Sequence, residues 1–213
     1  MRGIDFMNII KTSMLRKERH NIKSHARFQK ILSKYISKSK RHLDFGCGFG
    51  CTTYLLTCEY PEMKVTGMDI RREDINAGRK RYIAPNLKLM VSNKINGKFD
   101  TISCFGVLHE IVGDLNYYLK EFHSHLNPHG KVLIFDFRKV SRKKLMKFYY
   151  KPRLEELSKE KIKSFNLKSF DEEYEHHCKW TVKQFVSMFE KVGFKTLEIK
   201  LDEIALEYIG EKR

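Results

Sequence analysis

The run Asp44-Phe45-Gly46-Cys47-Gly48-Phe49-Gly50 has the makings of a backbone cradle. Alternating glycines let a ligand come close to bare main-chain N–H groups, and a helix starting directly after them adds the positive end of its dipole. Dinucleotide binding requires G-x-G-x-x-G/A, and counted from Gly46 that pattern meets Cys51 where Gly or Ala is needed. A P-loop is excluded because no Gly-Lys-Ser/Thr follows. Asp69 stands nineteen residues beyond Gly50, at the end of the next apolar run, where a carboxylate accepts hydrogen bonds from both ribose hydroxyls. Asp44, directly before the glycines, repels a pyrophosphate and suits an ammonium. These residues therefore describe a nucleoside with a cationic group and no phosphate.

S-adenosylmethionine has that composition: a ribose, an ammonium, a carboxylate for the helix N-terminus, and a sulfonium. Methyl transfer from a sulfonium is an in-line displacement in which positioning supplies much of the rate, so few catalytic side chains are needed. In open α/β sheets the reaction zone lies beyond the carboxyl ends of the strands, which directs attention to Phe105–His109 and to Asp136-Phe137. His109 is the candidate base, since a neutral imidazole accepts a proton from a hydroxyl or amine near neutral pH; its alternative role is to cap the loop or pack on the cofactor. Cys104 is expected to be a buried strand residue, as free cysteine commonly is. No metal is expected, because neither His176-His177-Cys178 nor His123 and His125 have ligand spacing along the chain.

The elements that must hold these residues are readable from periodicity. Short strands are expected at His42–Phe45, Val65–Ile70, Leu87–Val91, Phe99–Phe105 and Val132–Phe137, alternating with helices at Cys51–Cys58, Glu73–Tyr82 and from Asp114 through Leu126. Asn127-Pro128-His129-Gly130 is read as the stop of the last of these helices. Thr181 and Gln184 form a capping box opening a helix that Gly193 closes. Phe194–Leu201 and Ile204–Ile209, joined by the Asp202-Glu203 turn, are antiparallel to each other. The fold class is α/β: a doubly wound, mostly parallel, seven-stranded Rossmann-like sheet with an antiparallel C-terminal strand pair. Residues 1–42, with a helix from about Asn21 carrying Phe28, Leu32, Tyr35 and Ile36, are expected to pack on the core as a basic helical segment. Residues 43–213 form the ligand-binding domain, with a helical insertion at about 138–180.

His42–Gly50 with Asp69 resembles the cofactor site of the class I S-adenosylmethionine-dependent methyltransferases. Phe99–Phe105 with Val107-Leu108-His109-Glu110 resembles that family's fourth strand and following loop. Leu126-Asn127-Pro128-His129-Gly130 resembles its L-x-P-G-G segment, and Val192-Gly193-Phe194 its late A-G-F turn. The resemblance covers most of the chain. It implies that Asp44, Gly46, Cys47, Gly48 and Gly50 hold the methionine end of the cofactor, that Asp69 holds the ribose, that Ile70 packs on the adenine, and that Phe105 belongs to the same site. Asn93 stands where the family often has an acidic residue for the adenine amino group, and its amide oxygen can accept that bond. His129 replaces the first glycine of the P-G-G turn. No Asp/Asn-Pro-Pro-aromatic run follows the fourth strand, which removes the pattern of the amino-adenine and amino-cytosine nucleic-acid enzymes.

Composition bounds the acceptor. Among 213 residues, 42 basic against 26 acidic side chains give a net charge of +16, while 41% hydrophobic content is ample for a packed core and excludes a disordered chain. The charge divides as +10 over residues 1–42, zero over 43–137 and +6 over 138–213. The cofactor scaffold is thus balanced, and the excess flanks the expected acceptor side. A small, anionic acceptor is favoured. RNA is the alternative, through residues 1–42 and the stretch Arg138–Lys151, where seven basic residues surround Phe148-Tyr149-Tyr150; a non-catalytic S-adenosylmethionine-binding protein is the other. Solvated lysines over a core of aromatics explain the same stretch without any ligand. Five cysteines without a C-x-x-C pair read as reduced thiols, and with no membrane-length apolar run a cytoplasmic protein is expected.

Overall fold

The structure, a computed structural model, describes residues 31–151 and 167–213. The start of the expected N-terminal helix, with Phe28, lies outside the described residues, as does part of the insertion. Residues 31–36 are helical, and Leu32 and Ile36 are fully buried. Seven strands follow in the order β3-β2-β1-β4-β5-β7-β6. They are β1 (Arg41–Phe45), β2 (Lys64–Asp69), β3 (Leu87–Val91), β4 (Phe99–Phe105), β5 (Leu126–Phe137), β6 (Phe194–Leu201) and β7 (Ala205–Lys212). β1 pairs in parallel with both β2 and β4, β2 pairs in parallel with β3, and β6 is antiparallel to β7. The helices are α1 (Cys51–Glu59), α2 (Arg72–Arg81), α3 (Leu115–His125), α4 (Arg142–Leu145, running into a π turn at Met146–Tyr150), α5 (Leu167–His177) and α6 (Val182–Val192).

The chain forms two compact units, one from residues up to 104 with Ser124–Lys131, the other from Phe105–His123 with Val132–Arg213. In the first, α1 and α2 pack beside β2 and β3, where Cys47, Ile75 and Leu89 form a buried cluster. Gly78 of α2 lies so near the glycine loop that a Cβ there would stand 2.0 Å from the Phe49 carbonyl oxygen. In the second, Val140, Leu145, Tyr150, Phe170, Tyr174 and Cys178 make a core that gathers α4, α5 and the π turn.

The capping box of α6 is complete: Gln184 N–H donates to the Thr181 hydroxyl, and Thr181 N–H donates to the Gln184 side chain. Gly193 closes the helix in the left-handed conformation, φ 108°. Asp114 accepts from Asn116 N–H ahead of α3, as a capping side chain should. Two boundaries differ from expectation. β7 runs to Lys212, three residues beyond Ile209, because it pairs with β6 as far as Phe194. α3 ends at His125, and Leu126 and the Asn127–Gly130 segment already belong to β5. Pro128 cannot continue a helix, and His129, at φ 58°, turns the strand locally in a conformation that glycine adopts more cheaply.

Candidate functional site

Gly46, Gly48 and Gly50 all have positive φ (72°, 58° and 83°), which is why the loop alternates glycine with larger residues. Gly46 and Cys47 N–H donate to the Met68 carbonyl at 2.8 and 3.0 Å, pinning the loop to the end of β2. Gly48 N–H donates to Asp69 Oδ2 at 2.8 Å. No side chain caps α1 at Gly50, and its first turn carries no acidic residue. Its N-terminal N–H groups are thus suited to a carboxylate from outside the chain.

Asp44 is buried and takes hydrogen bonds from two hydroxyls, Thr53 Oγ1 to Oδ2 at 2.7 Å and Ser103 Oγ to Oδ1 at 2.8 Å. Ser103 is contacted in turn by His42 Nε2 at 2.9 Å, and His42 Nδ1 meets Thr101 Oγ1 at 2.7 Å. The parallel register that pairs His42 with Thr101 and Asp44 with Ser103 sets these four side by side. Ser103 spends its proton on Asp44 and Thr101 meets Ser39 Oγ at 3.1 Å, so both ring nitrogens of His42 face hydroxyls that are themselves engaged. Burial without a charged partner lowers the His42 pKa to about 3, so the ring is neutral. Its pKa lies below the unfolded value, so its contribution to stability is present above about pH 6.5 and lost as pH falls toward 3. Nitrogen NMR of the His42 ring at pH 5 is expected to show a neutral ring; an imidazolium signal would remove this account.

Asp69 ends β2 and is almost fully buried. Besides Gly48, it accepts Arg71 N–H at 2.8 Å and, more distantly, Arg71 Nε at 3.4 Å on Oδ1. The Arg71 guanidinium also pairs with Asp74 at 3.1 Å. Cys47 is buried, and burial followed by the Asp44 and Asp69 carboxylates pushes its pKa well up. It is therefore a protonated packing residue and no nucleophile. Ile70 and Asn93 are exposed after β2 and β3, Phe105 is half-buried at the end of β4, and Cys104 is fully buried.

In the second unit His109 lies on a 3₁₀ turn, Leu108–Glu110, after β4, and is nearly fully buried. Asp136, completely buried near the end of β5, accepts Leu108 N–H at 2.7 Å and His109 N–H at 3.3 Å on Oδ2, and Phe137 N–H at 2.7 Å on Oδ1. His109 Nδ1 meets the same Oδ1 at 2.6 Å. An acceptor held by three backbone donors takes the Nδ1 proton, and Nε2 faces Glu110 Oε1 at 3.2 Å. Phe137 meets the His109 ring edge-on at 4.9 Å between centroids, and His177 stacks on it at 5.0 Å. Lys179 Nζ holds the His109 carbonyl.

Sequence reasoning named Asp44, Asp69 and His109, and put Asp136 in the reaction zone without a role, but missed the side chains that hold these residues: Ser103, Thr53 and His42 around Asp44, and His177 beside His109. Polar residues at 42, 44, 101 and 103 inside strands that must be buried on both faces were an available signal, since such strands normally read as continuous apolar runs.

The family model for a methyltransferase domain matches residues 15–199. The chain belongs to this family, the class I S-adenosylmethionine-dependent methyltransferases. No curated protein sequence matches it. Among solved structures it is similar to an S-adenosylmethionine-dependent methyltransferase from Aquifex aeolicus (17% identity, TM-score 0.65, covering 99% of this chain and 100% of that one). It is similar also to the plantazolicin methyltransferase BpumL bound to S-adenosylhomocysteine (13%, TM-score 0.69, 98% and 89%). A third is human N-acetylserotonin methyltransferase in complex with S-adenosylmethionine (13%, TM-score 0.61, all of this chain and 60% of that one). The chain spans 56% of another matched methyltransferase, from Nostoc punctiforme. Among the described residues no helix is long and apolar enough to cross a membrane.

Proposed function

We propose that the protein moves a methyl group from S-adenosylmethionine to a hydroxyl or amine of a small-molecule acceptor, with His109 receiving the acceptor's proton. S-adenosylmethionine supplies a methyl carbon on a sulfonium: the acceptor's lone pair attacks in line, the C–S electron pair returns to sulfur, and S-adenosylhomocysteine is released. Gly46, Cys47, Gly48 and Gly50 cradle the methionine end, whose carboxylate takes the uncapped N–H groups of α1, while Asp44 attracts its ammonium. Asp69 accepts from the ribose hydroxyls, which displace its long contact with the Arg71 guanidinium. Ile70 covers the adenine, Asn93 accepts from its amino group, and Phe105 packs on the cofactor. The acceptor's proton passes to His109 Nε2 while Asp136 stabilises the imidazolium that results.

The observation that carries this reading is the 2.6 Å contact between His109 Nδ1 and Asp136, which fixes the ring after a strand end and leaves Nε2, beside Glu110 Oε1 at 3.2 Å, as the nitrogen for the acceptor's proton. The small acceptor is supported against RNA by the aromatic run at 148–150. Tyr150 is a core residue, and Tyr149 packs on Phe137 and His177 at 4.9 and 4.8 Å. Only Phe148 of the three is exposed, which leaves little of a stacking platform for bases. The methylated acceptors named for relatives, plantazolicin and N-acetylserotonin, are consistent with it. Surplus charge in the flanking segments favours an anionic acceptor.

Methyl-labelled S-adenosylmethionine offered with fractionated small molecules, RNA and protein from the same source tests this. Label is expected in the small-molecule fraction. Label confined to RNA overturns the acceptor class, and cofactor binding with no label transferred overturns catalysis.

A further inference from the structure

Among the described residues, the atoms His109 Nε2, a Glu110 carboxylate oxygen and His176 Nε2 all lie within 4.8 Å of one another. His109 Nε2 is 3.2 Å from Glu110 Oε1, and His176 Nε2 is 3.1 Å from Glu110 Oε2. Glu110 and His176 are sixty-six positions apart in sequence and are joined only by the docking of α5 beside the 3₁₀ turn. We propose that these three side chains form a binding site for a divalent transition metal of the zinc kind.

Four features support the site. With Nδ1 of His109 committed to Asp136, Nε2 is the nitrogen turned toward a Glu110 carboxylate oxygen, an arrangement that a cation between them satisfies. A metal-bound histidine commonly donates its other N–H to a carboxylate, and Asp136, fully buried and fixed by backbone donors, is such a partner already in place. In a tetrahedral zinc site, bonds of about 2.0–2.1 Å set the donors roughly 3.3–3.5 Å apart, close to two of the distances seen here. Glu110 and His176 are 58% and 38% exposed, so they are free to adjust and leave an open path for the ion.

The donor chemistry selects the metal. Two imidazoles and one carboxylate suit zinc, cobalt or nickel, whereas magnesium and calcium prefer all-oxygen sets. Three protein ligands leave a fourth position for water or for an oxygen of the acceptor. The inference goes beyond the methyl-transfer reading and meets it at one atom, since a metal on His109 Nε2 occupies the lone pair that proton transfer uses.

The test is zinc titration of the chelator-treated, dialysed full chain, followed by calorimetry and by competition with a chromophoric chelator. One zinc ion per chain is expected to bind. His176→Ala and Glu110→Gln, both at exposed positions, are expected to weaken it by more than the roughly 10–100-fold that loss of an outer-shell partner brings. The five cysteines and the other histidines are unchanged in both variants, so binding that survives in them is carried elsewhere and overturns the site. Absence of saturable zinc uptake by the wild-type chain does so too, even if His109→Ala still abolishes methyl transfer, in which case the base role stands alone. Zinc bound as expected with methyl transfer at full rate supports the site and instead removes the base role from His109.

Discussion

Replacing Asp69 by alanine is expected to weaken S-adenosylmethionine binding by a factor of about 10² to 10⁴. A hydrogen bond to a charged group contributes about 1.5–3 kcal/mol, and the variant loses two, one for each ribose hydroxyl. A second effect adds to the first. Asp69 Oδ2 holds Gly48 N–H and Oδ1 holds Arg71 N–H, so the carboxylate also braces the glycine loop and the entry to α2. Asp69→Asn retains one acceptor oxygen and is expected to lose less affinity than alanine. Calorimetric titration with S-adenosylmethionine, alongside a melting curve to establish that the variant is folded, reads both effects. A folded Asp69→Ala protein with unchanged affinity would sink the ribose assignment.

The second large effect is expected at His109. Removing a general base typically costs a factor of about 10² to 10⁴ in rate. His109→Ala should therefore lower kcat by that much while leaving cofactor affinity as it was, because the backbone N–H groups of Leu108 and His109 still reach Asp136 and hold the turn. Partial recovery of rate on adding free imidazole would identify a lost base, since a residue that only packs is not replaced by a small base in solution. Full activity in the variant would end the assignment. A fall in cofactor affinity with kcat intact would instead place His109 among the packing residues.

Much of the scaffold was legible because its determinants are local. The capping box at Thr181 and Gln184, the left-handed Gly193, and the glycines at 46, 48 and 50 are each dictated by the φ or the hydrogen bond required at that one position. Most strand and helix limits came within a residue or two where periodicity was clear, though β7 continues three residues past the expected Ile209. The start of β5 did not, because Leu126 completes the apolar stripe of α3 and only the backbone shows that the chain has already become strand. In the same way Asp44 was chosen for its position before the glycines, while the partners that fix its carboxylate come from β4 and α1.

By itself, then, the sequence determined the alternation of strands and helices, the glycine loop between β1 and α1, and the two carboxylates and one imidazole on which the proposed chemistry rests. Only the tertiary structure decided that Thr53, Ser103 and His42 gather around Asp44, that Asp136 rather than a sequence neighbour orients His109, and that His176 stands across Glu110 from it. The reason is one of range. Propensity, capping and backbone sterics act over a few residues and are written in local order, whereas hydrogen bonds between side chains and shared cation sites depend on distances of about 3 Å that packing alone brings about.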